Sequence, residues 1–124
     1  MKKNIFPGIE IINFDKEKII FKIESVSDPN NISITRIDNE VYNLEIFEKY
    51  KTFYLFYDHP VHDFLDKLFM TDRDDLIKFM KERVSPERGD GFDMIVVPKN
   101  DFSEMIICNH DGDIFLAYQN KIGN

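Results

Sequence analysis

With 124 residues the chain has the length of one domain, and 43% hydrophobic residues with 12 phenylalanines can build a core despite 31% charged side chains. Its one cysteine, Cys108, excludes an internal disulfide, and no apolar run approaches the roughly 20 residues needed to cross a bilayer. The net charge of −7 repels phosphate backbones and anionic lipid, which argues against nucleic-acid and membrane partners and in favour of basic ones.

The charge is uneven: residues 1–62 carry 8 basic and 10 acidic side chains, residues 63–124 carry 8 and 13. Moderate acidity also serves solubility alone. The N-terminal MKKNIFPGIEI holds two lysines but neither an uninterrupted apolar stretch nor a small-residue cleavage site, so a reducing cytoplasm is the expected location.

Residues 9–14 (IEIINF) and 18–24 (KIIFKIE) flank the polar Asp15-Lys16-Glu17, which predicts a hairpin with Ile19, Phe21 and Ile23 on its apolar face. After SDPNN, residues 32–37 and 41–46 flank Asp38-Asn39-Glu40 and predict a second hairpin. TFYLFY (52–57) has the continuous apolar character of a central strand buried on both faces. The period then changes. Val61, Phe64, Leu65, Leu68 and Phe69 fall at i, i+3, i+4, i+7 and i+8, the stripe of an amphipathic helix. Thr71 followed by Asp74 resembles a capping box that opens a second helix with Leu76, Ile77, Met80 and Val84 facing inward. Strands follow at 93–98, 104–109 and 113–118, the last two joined through His110-Asp111-Gly112, a tight-turn signal. The expected fold is one α+β domain over residues 1–124. It has a curved antiparallel sheet of about seven or eight strands, with a helix pair between the fifth and sixth strands packed on one face.

Two of the three histidines lie in YDHPVHDF (57–64). Pro60 suits the first position of a helix, His59 or Asp58 its N-cap, and Asp63 its first turn beside the helix dipole. Local structure therefore accounts for most of the octet. A metal would need more ligands than His59 and His62, and His110 with Asp111 or Asp113 in CNHDGD (108–113) is where others lie. That is the alternative reading: a small metal-dependent enzyme using His59, His62 and His110, with Asp58 or Asp111 as general base.

Other enzyme signatures are missing. There is no Gly-rich phosphate loop, no G-x-S-x-G and no paired CxxC, so no catalytic residue and no cofactor is assigned. Cys108 with His110 permits a nucleophile and base only if Cys108 lies at an edge, and a buried, inert thiol is the preferred reading. Arg88-Gly89-Asp90 is a chance triplet. The aromatics Phe53, Tyr54, Phe56 and Tyr57 lack the interleaved lysine and arginine of a base-stacking platform and read as core.

The acidic residues are more informative. Asp72, Asp74 and Asp75 crowd the second helix's start, Asp63 and Asp66 lie off the apolar stripe of the first, and Asp111 and Asp113 sit in the last turn. Helix-dipole compensation and solvation explain each singly; together they are expected to form a negative surface for a basic protein.

A small acidic chain with no catalytic motif and a strand-rich C-terminal MIICNHDGDIFLAY (105–118) resembles the bacterial immunity proteins that neutralise polymorphic or contact-dependent-inhibition toxins. The resemblance implies a protein that is not an enzyme and that occludes the active site, or an adjacent surface, of a cognate toxin domain, often a nuclease. Free, such a protein is a monomer or weak dimer. The expected partner face is Asp63, Asp66, Asp72, Asp74, Asp75, Asp111 and Asp113. A regulatory binding protein with another kind of partner is a further alternative.

Overall fold

The computed structural model describes residues 5–57 and 67–120. It is an α+β fold built on a seven-stranded antiparallel sheet. In chain order the elements are β1 (Ile9–Glu10), α1 (Asp15–Val26), β2 (Ile32–Arg36), a 3-10 stretch (Asp38–Asn43), α2 (Glu45–Lys49), β3 (Thr52–Tyr57), β4 (Lys67–Asp72), α3 (Arg73–Arg83), β5 (Met94–Pro98), β6 (Glu104–Cys108) and β7 (Ile114–Gln119). Across the sheet the order is β1-β4-β3-β5-β6-β7-β2.

The sheet is covered on both faces, which corrects the expectation of helices on one. Alternate residues divide between two cores. Phe53, Leu55, Phe69, Met94, Val96 and Ile106 pack against α2 and α3. Phe56, Leu68, Val97, Met105 and Ala117 pack against Ile20 and Ile23 of α1. The helix placement also differs from expectation: α1 precedes β2, α2 precedes β3, and α3 lies between β4 and β5.

The predicted first hairpin is instead helix α1. Ile19, Ile20, Ile23 and Val26 stand at i, i+1, i+4 and i+7, and adjacent Ile19 and Ile20 break the two-residue alternation a strand needs. Asn13 starts the helix, its side-chain oxygen accepting the Asp15 N–H at 2.9 Å and its carbonyl the Lys16 N–H at 3.1 Å. Asp15 and Glu17 in the first turn complement the dipole. Pro29 stops it, since the residue before proline disfavours helical torsions and Asp28 has ψ 125°.

Only the first arm of the second predicted hairpin is a strand. Asp38 adopts φ +33°, and the chain turns into the 3-10 stretch and α2, burying Val41, Ile46 and Phe47. The helix predicted from Val61 to Phe69 fails at its described end, where Leu68 and Phe69 belong to β4 and enter opposite cores. An apolar run buried on two faces mimics one helical stripe over such a short window. Val61, Phe64 and Leu65 lie outside the described residues.

TFYLFY is the central strand expected, and α3 is present with its N-cap one residue later: Asp72, not Thr71, accepts the Asp75 N–H at 2.8 Å. Thr71 is buried at the end of β4. The β6–β7 hairpin forms as predicted. Its Gly112 has φ +86°, and an added Cβ would meet backbone oxygens of Asp90 at 2.4 Å and Ser85 at 2.5 Å. The hairpin tip is thereby seated on the loop that follows α3.

Candidate partner-binding site

Strand register divides the predicted acidic face. Asp72 is paired with Thr52 at the start of β3, near which β5 ends at Pro98. Asp111 and Asp113 follow Cys108, which pairs with Met94, itself paired with Tyr57 at the other end of β3. Six strand residues span about 20 Å, so the α3 start and the hairpin tip occupy opposite ends of the sheet. Asp63, Asp66, Asp58, His59 and His62 lie outside the described residues.

At the α3 end, Asp72 is structural through its cap. Asp74 is 89% exposed and forms one ion pair among the described residues, with Arg73 at 3.6 Å. Asp75 is exposed and in no ion pair among the described residues. The guanidinium of Arg73 also donates to the Phe47 carbonyl at 2.9 Å, which ties the start of α3 to α2.

At the hairpin end the two aspartates differ. Asp113 accepts from Arg36 at 2.7 Å and from the Asn109 side chain at 3.1 Å, so it braces the turn and is not free for a partner. Asp111 is exposed beside His110 Nε2 at 3.7 Å. His110 itself is exposed. Asp93 accepts its main-chain N–H at 3.0 Å and lies 3.2 Å from Nδ1; that side-chain hydrogen bond, then the charges of Asp111 and Asp93, raise its pKa. Among the described residues no three His, Cys, Asp or Glu side chains come together as a metal-binding group.

Cys108 is buried, and burial pushes its thiol up to about 12, so it is no thiolate nucleophile near neutral pH. Phe53 and Phe56 are buried in opposite cores and offer no stacking platform. Arg88-Gly89-Asp90 is a turn, with Gly89 at φ +68° and the Arg88–Asp90 pair at 3.2 Å.

A second acidic locus stands at the α3 end of the sheet, around Asp101 and Glu104. Asp101 accepts from the Tyr50 hydroxyl and from Ser103, whose N–H and Oγ lie at 2.9 and 2.6 Å. The Ser103 and Tyr50 hydrogen bonds hold the Asp101 carboxyl below the usual range. Next to it, Glu104 is pushed upward by burial. Its position carried a signal: Glu104, Ile106 and Cys108 alternate on one face, so a carboxylate occupies a slot whose companions are buried.

Comparison with protein-family models, with curated proteins and with solved structures returns no match to this chain. No helix among the described residues is long and apolar enough to cross a membrane.

Proposed function

We propose that this chain is an immunity protein of the bacterial cytoplasm that binds a cognate toxin domain through acidic side chains and neutralises it by covering its active site or an adjacent surface. A nuclease is the favoured toxin class, because its substrate cleft must be basic. The chain performs no chemistry of its own in this reading.

The observation that carries the proposal is the start of α3. One capping carboxylate and one in the first turn satisfy the helix N-terminus, yet Asp72, Asp74 and Asp75 crowd within four residues, where like charges repel. Among the described residues only Asp74 of the three forms an ion pair, with Arg73. Exposed acidic charge of this kind raises the association rate with a basic surface and supplies charge-assisted bonds to arginine and lysine. Asp111 at the opposite end contributes only if the partner reaches along the sheet.

The test is mass spectrometry of what co-purifies with the tagged chain from its native host at low salt, followed by binding of Asp74→Lys/Asp75→Lys. Asp72 stays unchanged, because replacing the cap costs about 1 kcal/mol of stability and would confuse the result. A near-stoichiometric basic toxin domain, bound at least tenfold more weakly by the double variant and with a flatter salt dependence, supports the proposal. Recovery of the chain alone, or of a complex indifferent to both reversals, overturns it.

A further inference from the structure

A pocket of about 250 Å3 lies between the start of α2 and the β6–β7 pair. Leu44, Ile46, Leu116 and Tyr118 give it apolar walls, and Glu45 and Glu104 give it two carboxylates. Glu104 stands directly across from Tyr118 in the β6–β7 register. Its Oε1 is removed from solvent and accepts no hydrogen bond from any described residue.

A buried carboxylate oxygen without a donor costs free energy, which a nearby positive charge offsets. Lys49 is close enough to act on Glu104 electrostatically, but it forms no ion pair with it and stands 5.5 Å from the centroid of the Tyr50 ring. A pocket with apolar walls on one side and the Glu45 and Glu104 carboxylates on the other matches one ligand shape, a positive head on a hydrocarbon stem.

We propose that this pocket binds a primary ammonium or guanidinium group carried on an aliphatic stem, the charge against Glu104 and the stem along Leu44, Ile46 and Leu116. A lysine or arginine side chain of a protein partner and a free aliphatic diamine share this chemistry. In its protein-borne form the inference rests on the function proposed above and supplies that partner with one anchoring side chain.

The charged neighbours set the pH dependence. Burial, Asp101 and Glu45 favour the protonated form of Glu104, and Lys49 opposes them. A bound cation favours the ionised form, so binding lowers the Glu104 pKa, and affinity falls as pH drops through its raised free value.

The experiment is an NMR titration of the full chain with Nα-acetyl-lysine-N-methylamide and, separately, with 1,5-diaminopentane. The expected result is saturable shifts at Leu44, Ile46, Leu116 and Tyr118, a downward move of the Glu104 carboxyl titration, and at least tenfold weaker binding by Glu104→Gln. That variant is isosteric with the wild-type side chain and keeps a side-chain oxygen at the same place, so its fold is checked by the same spectrum. Preference for the lysine derivative points to a partner's side chain, and preference for the diamine to a free amine. Shifts that do not saturate and spread equally to Asp74 and Asp75, or binding unchanged in Glu104→Gln, overturn the proposal. Saturable binding without a toxin at co-purification would sink the immunity reading alone. A toxin complex with no probe binding would sink the pocket alone.

Discussion

Arg36 and Asp113, 77 positions apart in the chain, meet at 2.7 Å between the end of β2 and the β6–β7 hairpin. The same guanidinium reaches Asp38 at 2.7 Å, and Asp38 in turn accepts the Ile114 N–H at 3.1 Å. The two ion pairs are exposed on the arginine side and screened by solvent. The Asp38 bond to the strand differs, because it satisfies a part-buried main-chain donor.

The corner therefore depends more on Asp38 than on Arg36. Asp38→Ala leaves the Ile114 N–H without its acceptor and places an alanine at φ +33°. The expected loss is about 1–3 kcal/mol. Asp38→Asn keeps an acceptor and tolerates that backbone, so it should lose much less. Urea denaturation of the two variants checks this, and equal losses would show that charge, not the acceptor, matters at this corner.

Gly112 and Gly89 separate backbone strain from steric contact. Both have positive φ, but only at Gly112 would a Cβ strike main-chain oxygens; at Gly89 nothing lies within 4 Å. Gly89→Ala should cost about 1–2 kcal/mol for the left-handed backbone alone. Gly112→Ala must in addition push the hairpin off the loop after α3, so its melting temperature should fall further. Thermal denaturation followed by circular dichroism gives the comparison.

The clearest test of the architecture concerns Phe21 and Ile23. Read as alternating strand positions, 19, 21 and 23 share a face and should be equally sensitive. In α1, Ile23 is fully buried against the sheet while Phe21 is 73% exposed. Ile23→Ala should therefore cost about 2–5 kcal/mol, and Phe21→Ala should stay within about 0.5 kcal/mol. Comparable losses from chemical denaturation would restore the hairpin.

That pair also shows what local pattern reveals and what it hides. The antiparallel sheet was legible where strands are bounded by turns with their own chemistry, as at TFYLFY and across the Asp111-Gly112 turn. It was hidden where the periods of 2 and 3.6 agree over a few residues. Ile19, Phe21 and Ile23 imitate a strand inside a helix, and Leu68 and Phe69 imitate a helix inside a strand. Which reading wins depends on two-faced burial, a tertiary property. The acidic start of α3 was visible because Asp72, Asp74 and Asp75 are neighbours in the chain. The Glu104 pocket was not, because α2 and β7 approach it only through the fold; the sole trace was an acid in an inward strand position. Register likewise separated Asp72 from Asp113, which chain order alone cannot do.

His110 gives a pH prediction with a definite sign. The Asp93 hydrogen bond, followed by the charges of Asp111 and Asp93, raises its pKa in the folded chain above the ordinary value of about 6.5. A proton held more tightly in the folded state stabilises it. The contribution is fully present below about pH 6.5 and disappears as pH rises through the folded value. The wild type should gain stability relative to His110→Asn on acidification across that window, and the two should converge above it. Asp93→Asn should return the His110 titration, followed by the NMR shift of its ring protons, towards the ordinary value. Because Asp93 also accepts the His110 main-chain N–H, asparagine rather than alanine is the right replacement, since its side-chain oxygen keeps that bond. A His110 titration unmoved by Asp93→Asn would assign the shift to Asp111 instead.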